Sequence, residues 1–201
     1  MLKAKIAVLV SGGGTNLQAI LDAQKSGVIK SGEVVLVISN NADAYALTRA
    51  ENAGVEGIYI SKKELKTQEA FEDAIIAALQ EHEIDLIVLA GFMSILSERF
   101  TARYDHRIIN VHPSLIPSFC GQGYYGLKVH EAALAKGVKV TGATVHFVNE
   151  IPDGGEIIAQ KAVEVLDGDT PEVLQKRVME QAEWIIFPQA VEKVSAALVN
   201  Q

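Results

Sequence analysis

The short motif in this sequence that is best suited to catalysis consists of a neutral amide and an imidazole two residues apart. They are Asn110 and His112, in the run Asn-Val-His-Pro-Ser-Leu that begins at residue 110. If the preceding strand continues through His112, both side chains project to the same face. The amide can then stabilise a developing oxyanion, while the histidine moves protons near neutral pH. The alternative is an ordinary polar strand end with a capping asparagine, and the spacing alone favours neither.

A glycine-rich run, Ser11-Gly12-Gly13-Gly14-Thr15-Asn16, stands between an apolar segment and a helical pattern. Glycines let the backbone approach a ligand, and the start of a helix offers free N–H groups and positive dipole character, which suits a phosphate. The run lacks the Gly-Lys-Ser/Thr of nucleotide P-loops, and Leu17 replaces the third glycine of a dinucleotide fingerprint. A tight turn without a ligand is the alternative. Because adjacent glycines cost conformational entropy, the sequence favours the anion site.

Asp153, in Ile-Pro-Asp-Gly-Gly, is the third candidate, although a turn aspartate is its more ordinary explanation. Its importance depends on meeting His112 in space, because a nearby carboxylate would raise the pKa of the imidazole. Cys120 is interpreted as a bystander thiol, and His146 as a core residue or as one that supports the site from behind. The sequence contains no HExxH, CxxC or GxSxG motif, so we expect no metal.

Apolar runs that alternate with amphipathic segments predict the elements that position these groups. Buried strands are predicted at 6–10, 34–39, 57–60, 85–90 and 108–111, with helices at 17–27, 44–53, 64–82 and 95–100 between them. This alternation predicts right-handed βαβ units in a mainly parallel sheet. A long loop at 112–125 then leads to a helix at 126–135, strand-like segments at 138–149 and 156–165, and a last helix from Thr170 towards Trp184.

Composition limits the class of protein. The chain has 201 residues, of which 49% are hydrophobic, with a mean hydropathy of +0.19, which predicts one domain with its own core. A net charge of −7 makes nucleic acid an unexpected partner. No apolar window of membrane-spanning length and no secretory segment is visible, so we expect no membrane partner and a cytoplasmic location.

Together and in this order, the three clusters resemble the phosphoribosylglycinamide formyltransferase family, which uses 10-formyltetrahydrofolate as co-substrate. The matching stretches are 10–20, 89–93, 109–117, 142–148 and 153–155. The resemblance implies a single doubly wound, Rossmann-like α/β domain of the formyltransferase type, with an antiparallel C-terminal part. It further implies phosphate-binding βα units over 1–111, and the folate-site loop, strands and C-terminal helix over 112–201.

The resemblance also implies roles for individual residues. The catalytic residues are Asn110, His112 and Asp153. The substrate phosphate is held by Gly13, Gly14, Thr15 and Asn16. The ribose and amine of the substrate meet Glu183, Met93 and Pro113. The folate is bound by Phe92, Met93, Ser94, Ile95, Leu96, Asn110 and Asp153.

The implied reaction is direct formyl transfer to the amine of 5-phosphoribosylglycinamide through a tetrahedral intermediate, as a step of purine biosynthesis. Asn110 and protonated His112 stabilise the oxyanion, while Asp153 supports the imidazolium and relays the amine proton through a water. Ser94 and Gln68 stand where relatives carry arginines near the folate tail, which leaves the preferred tail length open. A monomer and a homodimer both remain open.

Three other functions stay open at this point. A formyltetrahydrofolate hydrolase and a methionyl-tRNA formyltransferase look similar around residues 110–153, although each normally carries a further domain. A non-catalytic phosphosugar-binding module would use the glycine run alone and leave Asn110, His112 and Asp153 unexplained.

Overall fold

A single seven-stranded sheet, in the order β3-β2-β1-β4-β5-β6-β7, forms the centre of the molecule. The computed structural model describes residues 2–200. The strands are β1 Ala4–Val10, β2 Gly32–Ser39, β3 Glu56–Tyr59, β4 Leu86–Leu89, β5 Ile108–His112, β6 Val140–Phe147 and β7 Ile157–Glu164. The first five pair in parallel, and β6 pairs antiparallel with both β5 and β7. This arrangement confirms the predicted fold class, including its antiparallel C-terminal part.

Eight α-helices connect or flank the strands within the described residues. They are α1 Thr15–Ser26, α2 Tyr45–Asn52, α3 Lys62–Leu65, α4 Gln68–Glu81, α5 Glu98–Arg103, α6 Leu127–Lys136, α7 Pro171–Val178 and α8 Trp184–Val199. A π-helical turn, Met179–Glu183, joins the last two. None of these helices, within residues 2–200, has the length and hydrophobicity to cross a membrane.

Two predicted helices differ in their boundaries from the observed ones. The helix expected at 64–82 is divided at Lys66, whose left-handed φ of 67° ends α3, and Thr67 then caps α4 by accepting a hydrogen bond from Ala70 N–H. The helix expected to begin at 95 begins at Glu98, because the Ser97 side chain accepts from Phe100 N–H. Local capping, which hydrophobic spacing does not reveal, sets both boundaries.

The C-terminal helix starts as predicted and continues further than predicted. Thr170 caps α7 by accepting from Val173 N–H, and Pro171 occupies the first helical turn. Pro188 lies inside α8, which nevertheless continues to Val199. A proline removes one helical hydrogen bond, and burial of α8 residues such as Phe187 against the sheet compensates for that loss.

Two hydrophobic layers cover the two faces of the sheet. Ile6, Val8 and Val10 of β1 pack in the layer that contains α1 and α8. Ala7 and Leu9 point to the opposite face, towards the layer that contains α4 and α5. This alternation along one strand is what a sheet covered by helices on both sides requires. The carboxyl ends of the parallel strands stay free for a ligand site.

The glycine run at the carboxyl end of β1 packs closely against α2. Gly14 caps α1 in the left-handed region with φ 71°, and a Cβ added to it would lie 2.7 Å from Ala46 Cβ. Ala46 N–H also donates to the Gly12 carbonyl at 3.1 Å. Glycine is therefore required at position 14 by both backbone conformation and space.

Replacement of Gly14 by alanine should destabilise the fold. Left-handed strain and the clash with Ala46 predict a loss of about 1–3 kcal/mol in the free energy of unfolding, measured by urea denaturation. Gly12→Ala is the matched control, because φ is not positive there and no atom lies within 4 Å of the added Cβ. It should change stability by about 0.5 kcal/mol or less. Equal losses in the two variants would contradict this explanation.

Candidate active site

The structure brings His112 and Asp153 together at the carboxyl end of β5. His112 is the last residue of the strand, and Asp153 lies in the turn between β6 and β7 with a left-handed φ of 56°. His112 Nδ1 and Asp153 Oδ2 are 3.4 Å apart, and the two side chains are 5% and 13% exposed. Asn110 precedes His112 by two positions on the same strand, which continues through the histidine, one residue beyond the predicted end at 111.

Burial and charge shift the pKa values of His112 and Asp153 in opposite directions. Burial alone would raise the pKa of Asp153, but contact with the protonated form of His146, the charge of His112 and the Gly121 N–H together hold that pKa below its usual value. Burial lowers the pKa of His112, and this outweighs the upward effect of Asp153 and of the Phe119 carbonyl. The sequence predicted the direction of the carboxylate's effect on His112, but not that burial would exceed it.

The loop between β5 and α6 holds both groups through its backbone. His112 Nε2 lies 2.8 Å from the Phe119 carbonyl oxygen. A carbonyl only accepts, so Nε2 carries the hydrogen and Nδ1 faces Asp153. Gly121 N–H donates to Asp153 Oδ2 at 2.8 Å. Cys120, between these two contacts, donates its thiol to the Pro117 carbonyl, and burial raises its pKa.

His146 is a member of the site that sequence reasoning placed only in the core or behind it. It stands directly opposite Asn110 in the antiparallel pairing of β5 and β6. Its Nε2 lies 3.3 Å from Asn110 Nδ2 and 3.5 Å from Asp153 Oδ1. Residues directly opposite each other share a face of the sheet, so the register would have indicated this contact had it been known.

The glycine run and the C-terminal segment meet through a direct hydrogen bond. Asn16 Nδ2, in the first turn of α1, donates to Glu183 Oε2 at 2.8 Å. Glu183 ends the π-helical turn and is buried, which raises its pKa. The side-chain oxygen of Asn16 is buried without a partner among the described residues, so it is free to accept from a ligand.

A cavity of about 650 Å³ contains most of the predicted site residues. Among them, its lining includes Thr15, Asn16, Phe92, Met93, Ser94, Ile95, Asn110, His112, Pro113, Asp153 and Glu183. Gly13 and Gly14 are outside this lining in the described chain. The Gly13 carbonyl instead accepts a hydrogen bond from Arg49 Nε at 2.8 Å.

A second, smaller cavity of about 140 Å³ adjoins the first at Asn110 and Asp153. Its walls include apolar residues and the turn after β6, namely Leu89, Phe92, Ile95, Leu96, Val148 and residues 149–152. A narrow apolar space with an amide and a carboxylate at one end fits a flat heteroaromatic ring.

Ser94 and Gln68 have defined partners beside this smaller cavity. Asn40 Nδ2 donates to Ser94 Oγ at 2.8 Å, and Gln68 Nε2 donates to the Ile95 carbonyl at 3.0 Å. Both contacts therefore help to fix the segment between β4 and α5, which forms one wall of the cavity.

This chain is similar in sequence and in structure to known proteins. The family model described as formyl transferase matches residues 4–191. The phosphoribosylglycinamide formyltransferase of Haemophilus influenzae is 45% identical over 184 residues, which are 92% of this chain and 84% of that protein. The crystal structure of glycinamide ribonucleotide transformylase 1 from Symbiobacterium toebii superimposes with a TM-score of 0.90 at 43% identity, covering 97% of this chain and 89% of that one.

A multifunctional relative is equally similar. The trifunctional purine biosynthetic protein adenosine-3 of Gallus gallus is 45% identical over 198 residues, which are 98% of this chain and 19% of that protein. The chain thus spans about a fifth of the length of the trifunctional relatives that it matches.

Replacement of Asp153 by asparagine should lower the pKa of His112 further. The carboxylate stabilises the imidazolium, so its loss leaves burial unopposed on that side of the ring. The pKa is measured by NMR titration of the His112 ring protons.

Asp105→Asn is the control for this titration. It should lower the pKa of His106, which Asp105 raises, and leave His112 unchanged. An unchanged or higher pKa of His112 in Asp153→Asn would contradict the contact.

Proposed function

The chain belongs to the formyl transferase family, and from that premise we propose that it is a phosphoribosylglycinamide formyltransferase. It transfers a formyl group from 10-formyltetrahydrofolate to the amine of 5-phosphoribosylglycinamide. The observation that carries this proposal is the meeting of Asn110, His112 and Asp153 where the two cavities join. The similarity to the Haemophilus influenzae enzyme of that name supports it.

The ribonucleotide occupies the larger cavity. Its phosphate lies at the start of α1, where the free N–H groups of Thr15 and Asn16 and the helix dipole favour an anion. Glu183 accepts from the ribose hydroxyls, and its hydrogen bond from Asn16 couples the ribose and phosphate ends of the site. Met93 and Pro113 line the passage from there to His112.

The folate occupies the smaller cavity with its ring system. Phe92, Ile95 and Leu96 supply the apolar surface that such a ring requires, and the Asn110 and Asp153 side chains stand at the junction with the larger cavity. When bound, 10-formyltetrahydrofolate supplies an electrophilic formyl carbon at this junction. The substrate amine arrives from the opposite side.

Three side chains divide the work of transfer. Asn110 donates a hydrogen bond to the formyl oxygen, on which negative charge develops as the amine attacks. His112, which takes a proton from solvent at Nδ1 before the attack, is a cation that stabilises the same charge while Asp153 pairs with it. Asp153, through a water, moves the proton of the attacking amine to the departing folate nitrogen. A carbon–nitrogen bond forms to the substrate and gives a tetrahedral intermediate, and the carbon–nitrogen bond to the folate then breaks, so atoms and charge balance.

The competing functions differ in the acceptor of the formyl group. A hydrolase passes it to water and a methionyl-tRNA formyltransferase to an aminoacylated tRNA, whereas a binding module transfers nothing. The start of α1 lines the same cavity as Asn110, His112 and Asp153, which favours a phosphorylated acceptor such as the ribonucleotide. Several other expectations stay predictions. They are the absence of a bound metal, the cytoplasmic location, the lack of nucleic-acid and membrane partners, and the division of the chain at residue 111. The choice between monomer and homodimer stays open.

Purified protein should formylate 5-phosphoribosylglycinamide and neither water nor methionyl-tRNA at a comparable rate. His112→Ala and Asp153→Asn should each lower kcat by roughly a hundred- to a thousandfold, because each removes stabilisation that develops only in the transition state. The KM for the ribonucleotide should change little. Steady-state kinetics with each acceptor provide the measurement.

Asp167→Asn serves as the control, since the side chain of Asp167 is 99% exposed and pairs with Lys139 on the surface. It should retain full activity. Equal turnover in wild type and the two site variants, or a preference for water as acceptor, would overturn the proposal.

A further inference from the structure

His146 has its two ring nitrogens committed to different partners. The residue is 2% exposed, and its Nδ1 lies 2.7 Å from the Phe147 carbonyl oxygen. Because a carbonyl only accepts, Nδ1 must carry the hydrogen. In the neutral ring Nε2 is then an acceptor, and the group that faces it at 3.3 Å is Asn110 Nδ2. The amide therefore donates to the histidine.

This contact decides which way the Asn110 carboxamide points. A free carboxamide can turn by half a rotation and exchange its oxygen with its nitrogen. With Oδ1 in place of Nδ2, two acceptors would face each other, which is unfavourable in a buried site. His146 thus selects one orientation, in which one N–H binds Nε2 and the second N–H remains available.

We propose that His146 is a positioning residue that holds the Asn110 carboxamide so that its second N–H is offered to the formyl oxygen. This inference rests on the proposed function, because it gives the amide an oxyanion to stabilise. His146 and Asn110 both line the smaller cavity, and Asn110 lines the larger one as well. The amide donor therefore stands where the two substrates meet.

The surrounding sheet makes this arrangement rigid. Asn110 and His146 are directly opposite each other in the β5–β6 pairing, and the neighbouring pair is Val111 with Val145, both buried. The backbone of both residues is fixed by the ladder, and the Phe147 carbonyl fixes the ring. Preorganised donors of this kind need no reorientation during the reaction, which is where their catalytic advantage arises.

The contact with Asp153 is secondary in this arrangement. Asp153 Oδ1 is 3.5 Å from Nε2 and makes no hydrogen bond to the neutral ring, because a carboxylate oxygen and an unprotonated nitrogen both only accept. The Gly121 N–H, in contrast, donates to the other carboxylate oxygen at 2.8 Å. The carboxylate therefore keeps its place through the loop when His146 is changed. Loss of His146 should act mainly through Asn110.

A double-mutant cycle separates this role from a merely structural one. His146→Leu removes the acceptor, whereas His146→Gln returns an oxygen acceptor near the position of Nε2. Each is combined with Asn110→Ala, and kcat and KM are measured for all variants alongside the urea midpoint. The cycle measures the coupling between the two side chains.

In the wild-type background, His146→Leu should lower kcat by about tenfold or more with a KM for the ribonucleotide within about twofold. His146→Gln should recover most of the loss. In the Asn110→Ala background, His146→Leu should have no further effect on kcat. Equal losses in both backgrounds, or no rescue by glutamine, would overturn the proposal.

A measurement without turnover keeps this inference separate from the proposed function. Nitrogen-15 NMR of histidine-labelled protein, without substrates and at a pH at which the ring is neutral, should show His146 protonated at Nδ1 and unprotonated at Nε2. In Asn110→Ala the Nε2 resonance should move towards that of a nitrogen without a hydrogen bond. A protonated Nε2, or no change in Asn110→Ala, overturns the inference. A wild-type enzyme that does not formylate the ribonucleotide overturns the proposed function and leaves the NMR result to stand by itself.

Discussion

The contact between His112 and Asp153 is the constraint on which the rest of the site depends. The two residues lie in separate parts of the fold, one at the end of β5 and the other in the turn between β6 and β7, yet Nδ1 and Oδ2 are 3.4 Å apart. Burial alone would disfavour charge on both groups, and each opposes that effect for the other. A buried charge that lost its partner would be left uncompensated, so the turn must hold its place.

Two further devices keep that geometry in place. The loop after β5 contributes the Phe119 carbonyl and the Gly121 N–H, which fix the imidazole and the carboxylate from the outside. The antiparallel strand β6 contributes His146 from the inside. The antiparallel pairing of β6 with β5 thus has a chemical consequence, because its register sets His146 opposite Asn110. The turn that follows β6 then folds back far enough for Asp153 to reach His112.

Much of the fold could be predicted from the sequence, for a clear physical reason. Buried parallel strands are continuous apolar runs, and Ile6 to Val10 is recognisable as one without any other information. Thr170 and Pro171 marked the start of α7 because caps are local. The break at Lys66 and the continuation of α8 past Pro188 were not predictable from spacing, because a backbone conformation and tertiary burial decide them.

The candidate site was predictable only in part. Asn110 and His112 are two positions apart, so their shared face follows from strand geometry, but their meeting with Asp153 depends on long-range topology and came from family resemblance. The contacts of His146 with Asn110 and Asp153 were not predicted, because they follow from the register of β5 and β6, which the sequence does not reveal. The contacts made by the backbone of Phe119 and Gly121 leave no signature in the sequence, since every residue other than proline has both an N–H and a carbonyl.

The arrangement of Asn110, His112 and Asp153 is tested by a crystal structure of the protein with a stable analogue of the proposed tetrahedral intermediate, which joins ribonucleotide and folate. We expect the analogue's oxygen about 2.7–3.1 Å from Asn110 Nδ2, with Asp153 still beside the His112 ring and the phosphate at the start of α1. An analogue that lies across the junction with its oxygen turned away from Asn110, or an Asp153 that has left the His112 ring, would contradict it.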